Sequence, residues 1–441
     1  MLDDRFRVDE LVQPGRVHRR VYTDPAIFEL EMSRLFGRAW IFVGHESQVG
    51  NPGDYFRTRI GREPVVMARH GDGSIHVLHN RCAHRGAIVV ARESGCAPEF
   101  RCCYHGWTYG TDGSLLSVPV RQGYPAGAVA AGDPAFGMPP VARVDSYRGF
   151  VFASLAATGP SLVESLGYMT TSFDDLVDRA PDGGIEVAGG IARHAYDGNW
   201  KLIFENVNDG LHPLSVHRSS IEAAREQDDD VWTDGAGEIG IRQMRQNGAP
   251  LDFWENQVGL WAYPHGHSFL GDYHDDARLV AAGRDPSFGD YIAAMEARKG
   301  REEAHRVLGV MRWNTNIYPT ISFMSQFRQL RVVRPVSVDR TEVLGFCFRL
   351  KGAPDRMFQD TIRFANITNA SASPVLTDDL ETYDRLRGGL HAEGADWVTV
   401  SRGQGRDRPD GNGGLRAENG LSELHIRNMF DAWVRYMSEP D

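Results

Sequence analysis

Long apolar runs are missing from this chain. No stretch of about 18 apolar residues occurs, so no transmembrane helix is expected. The opening "MLDDRFRVDE" has no apolar segment, which predicts no signal peptide and a cytoplasmic location. Basic charge is in deficit, with 48 Lys and Arg against 59 Asp and Glu and a net charge of −11. With no basic run either, a nucleic-acid surface is not expected. Cysteine is scarce: 5 among 441 residues, too few for a secreted disulfide scaffold. Internal repeats are absent. So is a glycine-rich nucleotide fingerprint with its acidic residue, which assigns any flavin or NADH chemistry to another protein.

What is present is ordinary globular protein, 41% apolar and 24% charged. The length exceeds what one core fills and predicts two domains. "TDPAIFELEMSRLFGRAW" opens with a Thr-Asp-Pro helix start and carries a helical apolar stripe from Ile27 to Leu35. Short β-rich runs follow, with hairpin turns at Gly71-Asp72-Gly73 and Thr111-Asp112-Gly113. "VDSYRGFVFASL" reads as a closing strand of this β domain. Beyond it, "SLVESLGYMTTSFDDLVDRA" and "WKLIFENVNDGLH" are helical in pattern, as is the closing "LSELHIRNMFDAWVRYM". "TNIYPTISFM", "FRQLRVVRPVSV" and "EVLGFCFRL" are strand-like, and "SRGQGRDRPDGNGGLRAENG" is a loop. The fold class is α+β: an antiparallel β domain, then a domain with an antiparallel sheet flanked by helices.

Four of the cysteines, Cys82, Cys96, Cys102 and Cys103, crowd into one short region. "RCAHRG" sets Cys82 two residues before His84, and "RCCYHGW" offers Cys102 and Cys103 ahead of His105. Two thiolates and two imidazoles suit tetrahedral zinc or a two-iron cluster. Zinc sites usually draw like ligands from one box, whereas here each box supplies one cysteine and one histidine. That division favours a Rieske centre, in which two cysteines bind one iron and two histidines the other. Spacing alone leaves the choice of cysteine open, since Cys103-Tyr104-His105 repeats the Cys-x-His of the first box.

A second constellation lies in "NWKLIFENVNDGLHPLSVH". His212 and His217 stand five apart, about 140° on an ideal helix, so a straight helix would not aim both at one metal. Pro213 disfavours a regular helix there and allows a bend that brings them together. A facial triad of two histidines and one carboxylate leaves positions on Fe(II) for O₂ and substrate. "TDDLETYDRL" offers Asp378, Asp379, Glu381 and Asp384 for the carboxylate.

With these boxes in view, the chain resembles the large (α) subunits of Rieske non-haem iron aromatic-ring-hydroxylating oxygenases. "CAHRG" and "CCYHGWTYGTDGSL" are similar to that family's two Rieske boxes, and "IFELEMSRLFGRAWIFVGHESQVGNPGDY" to its lead-in. Asn-Trp-Lys, Glu-Asn, Asp and His-x4-His follow its catalytic motif. The resemblance implies a lead-in over 1–40, a Rieske [2Fe-2S] domain over 41–155 and a catalytic domain over 156–441. It implies cluster ligands Cys82, His84, Cys102 and His105, with Cys103 a bystander, and iron ligands His212, His217 and Asp379, with Asp378 the nearest competitor. Asp209 is then not a ligand; its carboxylate would accept from the free ring nitrogen of His212 and reach His105 of a neighbouring subunit, implying a trimer. Asn206 would line the site.

The same resemblance implies an O₂-dependent terminal oxygenase acting on an aromatic substrate. Electrons would come from NADH through a separate reductase, with or without a ferredoxin, in an α3 or α3β3 assembly. The spacing of Asn206 three before Asp209 resembles the benzoate, anthranilate and salicylate branch. A carboxylated ring calls for an arginine, and Arg312, Arg328, Arg331 and Arg334 lie in the strand region expected to wall the pocket. An aromatic monooxygenase is the nearest alternative, and a Rieske electron carrier without catalytic iron a further one. "HGHSFLGDYHDD", with His265, His267, His274, Asp275 and Asp276, fits no metal spacing and reads as loop or pocket wall. Cys347 reads as a core thiol, and Cys96 as a loop residue from which a disulfide to Cys103 is not expected.

Overall fold

The computed structural model describes residues 7–125, 127–130, 132–227, 238–274 and 286–438. It divides into two compact units: Met32–Leu162, and Met1–Glu31 together with Val163–Asp441. Residues 7–31 thus fold with the larger unit.

The smaller unit is antiparallel β. One sheet runs in the order Ile75–His79, Glu63–Arg69, Asp54–Ile60, Ser94–Cys96. A second holds Leu115–Ser117, Thr108–Gly110 and Glu99–Arg101. Both expected hairpins form, and in each an aspartate, Asp72 or Asp112, accepts from the backbone N–H of the serine two residues on. Between the sheets, Tyr55, Val66, Leu78, Phe100, Trp107 and Tyr109 enclose Cys82 and Cys102.

"VDSYRGFVFASL" is not one strand. Arg143–Tyr147 and Phe150–Ser154 form a hairpin beside Ile41–His45. Arg148 and Gly149 both take positive φ, 52° and 88°, as a two-residue turn of this hand requires. Arginine at the first turn position hides the signal that Asn-Gly would give.

The larger unit is built on a nine-stranded antiparallel sheet among the described residues, from Ile185–Asp197 at one edge to Arg408–Pro409 at the other. Its centre comprises Arg340–Leu350, Gln329–Ser337, Ile321–Met324, Val310–Ile317 and His267–His274. The last two short strands, Leu415–Arg416 and Arg408–Pro409, come from the stretch expected to be loop throughout; they add to the sheet beside Gly259–Tyr263. The closing helix Leu424–Ser438 packs against Gly259–Tyr263 and His267–His274. No described helix is long and apolar enough to cross a membrane.

A buried ion pair fixes the start of the site. Asp24 caps the helix Pro25–Leu30, which leads to Glu31, fully buried. Glu31 accepts from Lys201 Nζ at 2.6 Å, Trp200 Nε1 at 2.8 Å and Trp433 Nε1 at 2.7 Å. Both carboxylate oxygens are thereby satisfied, which a buried charge demands; removing one member of such a pair costs about 3–5 kcal/mol. The node ties the lead-in, the closing helix and the helix Lys201–Asn206 together.

Candidate metal centres

In the smaller unit the two cysteine boxes form equivalent loops. Cys82 N–H donates to Ala87 C=O and Cys82 C=O accepts from Gly86 N–H, at 2.8 and 2.9 Å. Cys102 repeats this with Trp107 and Gly106, at 2.8 and 3.0 Å. Gly86 and Gly106 both hold positive φ, 76° and 71°, which a side chain would strain. The loop geometry therefore pairs Cys82 with Cys102, not with Cys103. Cys82 and Cys102 are buried, and Cys103 and Cys96 are exposed free thiols. Cys347 is a free, partly buried thiol on its strand, pushed up to about 11 by burial.

The rings of His84 and His105 lie 4.6 Å apart, and Trp107 stacks on His84. His84 Nδ1 is buried without a partner. Burial, then the neighbouring His105 and Arg85, holds His84 below its ordinary pKa, keeping it in the neutral form a metal needs. Tyr109 OH accepts from Ala83 N–H and lies 3.1 Å from Cys82 Sγ; such contacts to sulfur tune cluster potential. An orphaned imidazole nitrogen beside two buried thiols fits a [2Fe-2S] group. Single-ion zinc fits less well. Among the described residues, the group of three that closes within 4.8 Å is His212, His217 and Asp379, so no three of the box residues converge on one ion.

That second group sits in the larger unit. After Lys201–Asn206 the chain turns through Gly210, where a Cβ would meet Gly420 O at 2.7 Å. His212 precedes the single turn Pro213–Val216, and His217 breaks it with φ −99° and ψ 21°. This kink brings the two rings to a centroid distance of 5.4 Å, which a straight helix would not. His212 Nε2 and His217 Nε2 lie 3.8 and 3.5 Å from Asp379 Oδ1. Asp379 is in the first turn of the helix Leu376–His391, and Asn206 Nδ2 donates to its Oδ1 at 3.1 Å. Downstream, Glu381 and Asp384 pair with Arg385 and Arg387 on the exposed face.

Each histidine has its other nitrogen occupied. His217 Nδ1 faces Asp378 Oδ2 at 3.4 Å. His212 Nδ1 donates to the Asp209 backbone carbonyl at 2.9 Å. The expectation that the Asp209 carboxylate would take this bond is corrected: it is turned away by Leu211 N–H at 2.7 Å and Arg402 Nη2 at 3.1 Å. Burial raises the Asp209 pKa, but His212, Arg402 and the Leu211 N–H outweigh it and hold the carboxyl below its ordinary value. Burial lowers His212, against the pull of Asp379 and Asp209. Arg402 was not singled out in the sequence, because it lies in a glycine-rich loop nearly two hundred residues away with no spacing to mark it.

The triad opens into a cavity that Asn206, Asp209, Gln326, Asn314 and Arg331 also border. Of the histidine-rich decoy, His267 is a buried structural residue, accepting from Tyr318 N–H and contacting Ser165 C=O. His265 reaches Tyr436. Asp275 and Asp276 lie outside the described residues, as does the side chain of His274.

A thiolate–imidazole pair of loops in one unit and an open two-histidine, one-carboxylate site in the other define an iron-dependent oxidoreductase with two metal centres. The comparisons agree. Residues 39–130 match the Rieske [2Fe-2S] domain family, and residues 185–439 the ring hydroxylating alpha subunit (catalytic domain) family. The 2-halobenzoate 1,2-dioxygenase large subunit of Burkholderia cepacia is 34% identical over 394 residues, 88% of this chain and 80% of that one. Benzene 1,2-dioxygenase subunit alpha of Pseudomonas putida is 31% identical over 440 residues, 97% and 92%. In fold, the chain superposes on naphthalene 1,2-dioxygenase with indole in its active site at a TM-score of 0.81 and 24% identity, covering 97% of this chain and 94% of that one. The chain belongs to the family of Rieske ring-hydroxylating dioxygenase alpha subunits, which carry a [2Fe-2S] cluster and a mononuclear iron.

Proposed function

We propose that this chain is the terminal oxygenase subunit that adds O₂-derived oxygen to an aromatic ring bearing a carboxylate. Cys82, His84, Cys102 and His105 hold the cluster, and His212, His217 and Asp379 the mononuclear iron. The observation that carries this reading is the convergence of those three side chains on one open-sided point at the wall of a cavity. The carboxylated ring is supported by likeness to a 2-halobenzoate dioxygenase and by the Asn206–Asp209 spacing.

Bound there, Fe(II) supplies O₂ binding and reductive activation. The chain's own residues do the positioning. Asp378 and the Asp209 carbonyl engage the Nδ1–H groups and leave both Nε2 lone pairs facing the iron position. Asn206 holds the Asp379 oxygen. Electrons come from NADH through a separate reductase, with or without a ferredoxin. The Asp209 carboxylate meets His105 of a neighbouring copy in an α3 ring, with or without small β subunits, in the cytoplasm.

The test is a single turnover of pre-reduced enzyme with benzoate under ¹⁸O₂. A cis-dihydrodiol carrying two labelled atoms is expected. One labelled atom in a phenol would favour the monooxygenase alternative, and no product from any aromatic acid would reject the carboxylated ring.

A further inference from the structure

Which residue receives the substrate's carboxylate is a question of which arginine is unspent. Four are expected from the sequence to wall the pocket. Arg312 donates to Thr171 Oγ1 and Ser172 Oγ and covers the Phe269 ring at 3.8 Å. Arg328 donates to Thr361 Oγ1 and to the carbonyls of Gln326 and Met357. Arg334 pairs with Glu342 at 3.5 Å. These three are committed to holding the fold.

Arg331 differs. It borders the cavity that holds the iron triad, and among the described residues no carboxylate lies within the 4.0 Å of an ion pair. Its Nη2 donates to Asn314 Oδ1, while Asn314 Nδ2 donates to Val207 C=O at 2.8 Å. Asn314 is thus fixed at both ends and fixes the guanidinium in turn. Nε and Nη1 are left without protein partners among the described residues. Burial draws the group down to about 10, against the pull of Tyr383 and Asp379, so it stays cationic at neutral pH. Arg331 is half-buried at the cavity wall, so an anionic ligand there would meet a cation that no carboxylate of the described residues pairs with.

The geometry points to Arg331 as the residue that receives the carboxylate of the aromatic substrate, an assignment that rests on the proposed carboxylated ring. The second Nη2–H and the N–H beside it, on Nη1 or Nε, make a planar fork that matches the two oxygens of a carboxylate. Lysine would keep the charge and lose the fork.

The probes are benzoate, its neutral isostere benzamide, and benzene. By equilibrium dialysis, the wild-type protein is expected to bind benzoate at least about 100-fold more tightly than benzamide. Arg331→Gln should remove that preference, and Arg331→Lys should restore it in part. In turnover, the ratio of kcat/KM for benzoate to that for benzene should fall by about 100-fold in Arg331→Gln. Iron content and cluster absorbance certify that the variant is folded. If wild-type protein prefers benzoate and Arg331→Gln keeps the preference, the assignment to Arg331 is overturned. If wild-type protein shows no preference for benzoate over benzamide and oxidises benzene alone, the carboxylated-ring reading itself falls. The wild-type comparison needs no variant to fold.

Discussion

His217 faces two consecutive aspartates with its two ring nitrogens: Nε2 lies 3.5 Å from Asp379 Oδ1, and Nδ1 lies 3.4 Å from Asp378 Oδ2. The two neighbours in sequence therefore take opposite tasks. Asp379 points to the iron position and Asp378 fixes the tautomer from behind. Asp379→Ala is expected to lose the mononuclear iron outright. Asp378→Ala should keep the site and weaken iron about 10- to 100-fold. Iron retained after dialysis against a graded chelator reads this directly, and the visible cluster spectrum should be unchanged in both. Equal loss in the two variants would mean that the division of labour is wrong.

The Asp209–Arg402 pair makes a separate prediction. Arg402 Nη2 is 3.1 Å from Asp209 Oδ1 and 3.7 Å from Glu423 Oε1. Arg402→Gln touches neither set of proposed ligands, so both metals should remain. Re-oxidation of the cluster, followed by stopped-flow absorbance, should slow by roughly tenfold, equivalent to about 1.4 kcal/mol. The pH profile gives a second readout. The carboxyl of Asp209 sits below its ordinary value, so its charge survives until pH falls through that depressed pKa. Without Arg402 the pKa rises, and the acid limb of the rate profile should move to higher pH. An unmoved limb would argue that Asp209 does not carry the rate.

The matched loops bear on the paired cysteines. Cys102 makes the same pattern of backbone bonds in its loop as Cys82 does in its own, and Cys103 is exposed. Cys103→Ser should keep the red-brown cluster absorption, and Cys102→Ser should abolish it. The reverse result would move the ligand by one residue and break the equivalence of the loops.

Much of this was legible because local chemistry carried it. The hairpins at Asp72 and Asp112 were readable because an aspartate, a glycine and a serine fix those turns. A bend between His212 and His217 was readable from Pro213, but the break falls at His217, and Pro213 instead opens the short turn, where proline is tolerated. Whatever depends on distant segments meeting was not readable. Arg402 and Asp209 meet from turns 193 residues apart, and Arg331, Asn314 and Val207 from two strands and a helix end. The Arg148–Gly149 turn was missed for another reason: arginine takes positive φ there only because the strands on either side hold it. The direction of the Asp209 side chain was likewise set by competing donors that no spacing reveals.

His267 and His425 make stability depend on pH in one direction. Both are buried, and burial is the main cause that brings them down to about 3 and about 4. His267 Nδ1 accepts from Tyr318 N–H, so the ring is neutral in the fold. Near pH 7 both folded and unfolded forms are largely neutral and the groups cost nothing. As pH falls below the unfolded value of about 6.5, only the unfolded chain takes up protons. Each residue then removes about 1.4 kcal/mol of stability per pH unit, until the folded pKa is reached. Between pH 6 and pH 5 the unfolding free energy should therefore drop steeply. His425→Gln should flatten that slope by about one proton's worth, because glutamine can keep a bond to the Glu205 carbonyl that His425 Nε2 now makes at 2.8 Å. Urea melts at the two pH values, run on the metal-loaded protein, measure the difference. A slope that is the same in wild type and variant would show that the buried imidazole is not what binds the proton on unfolding.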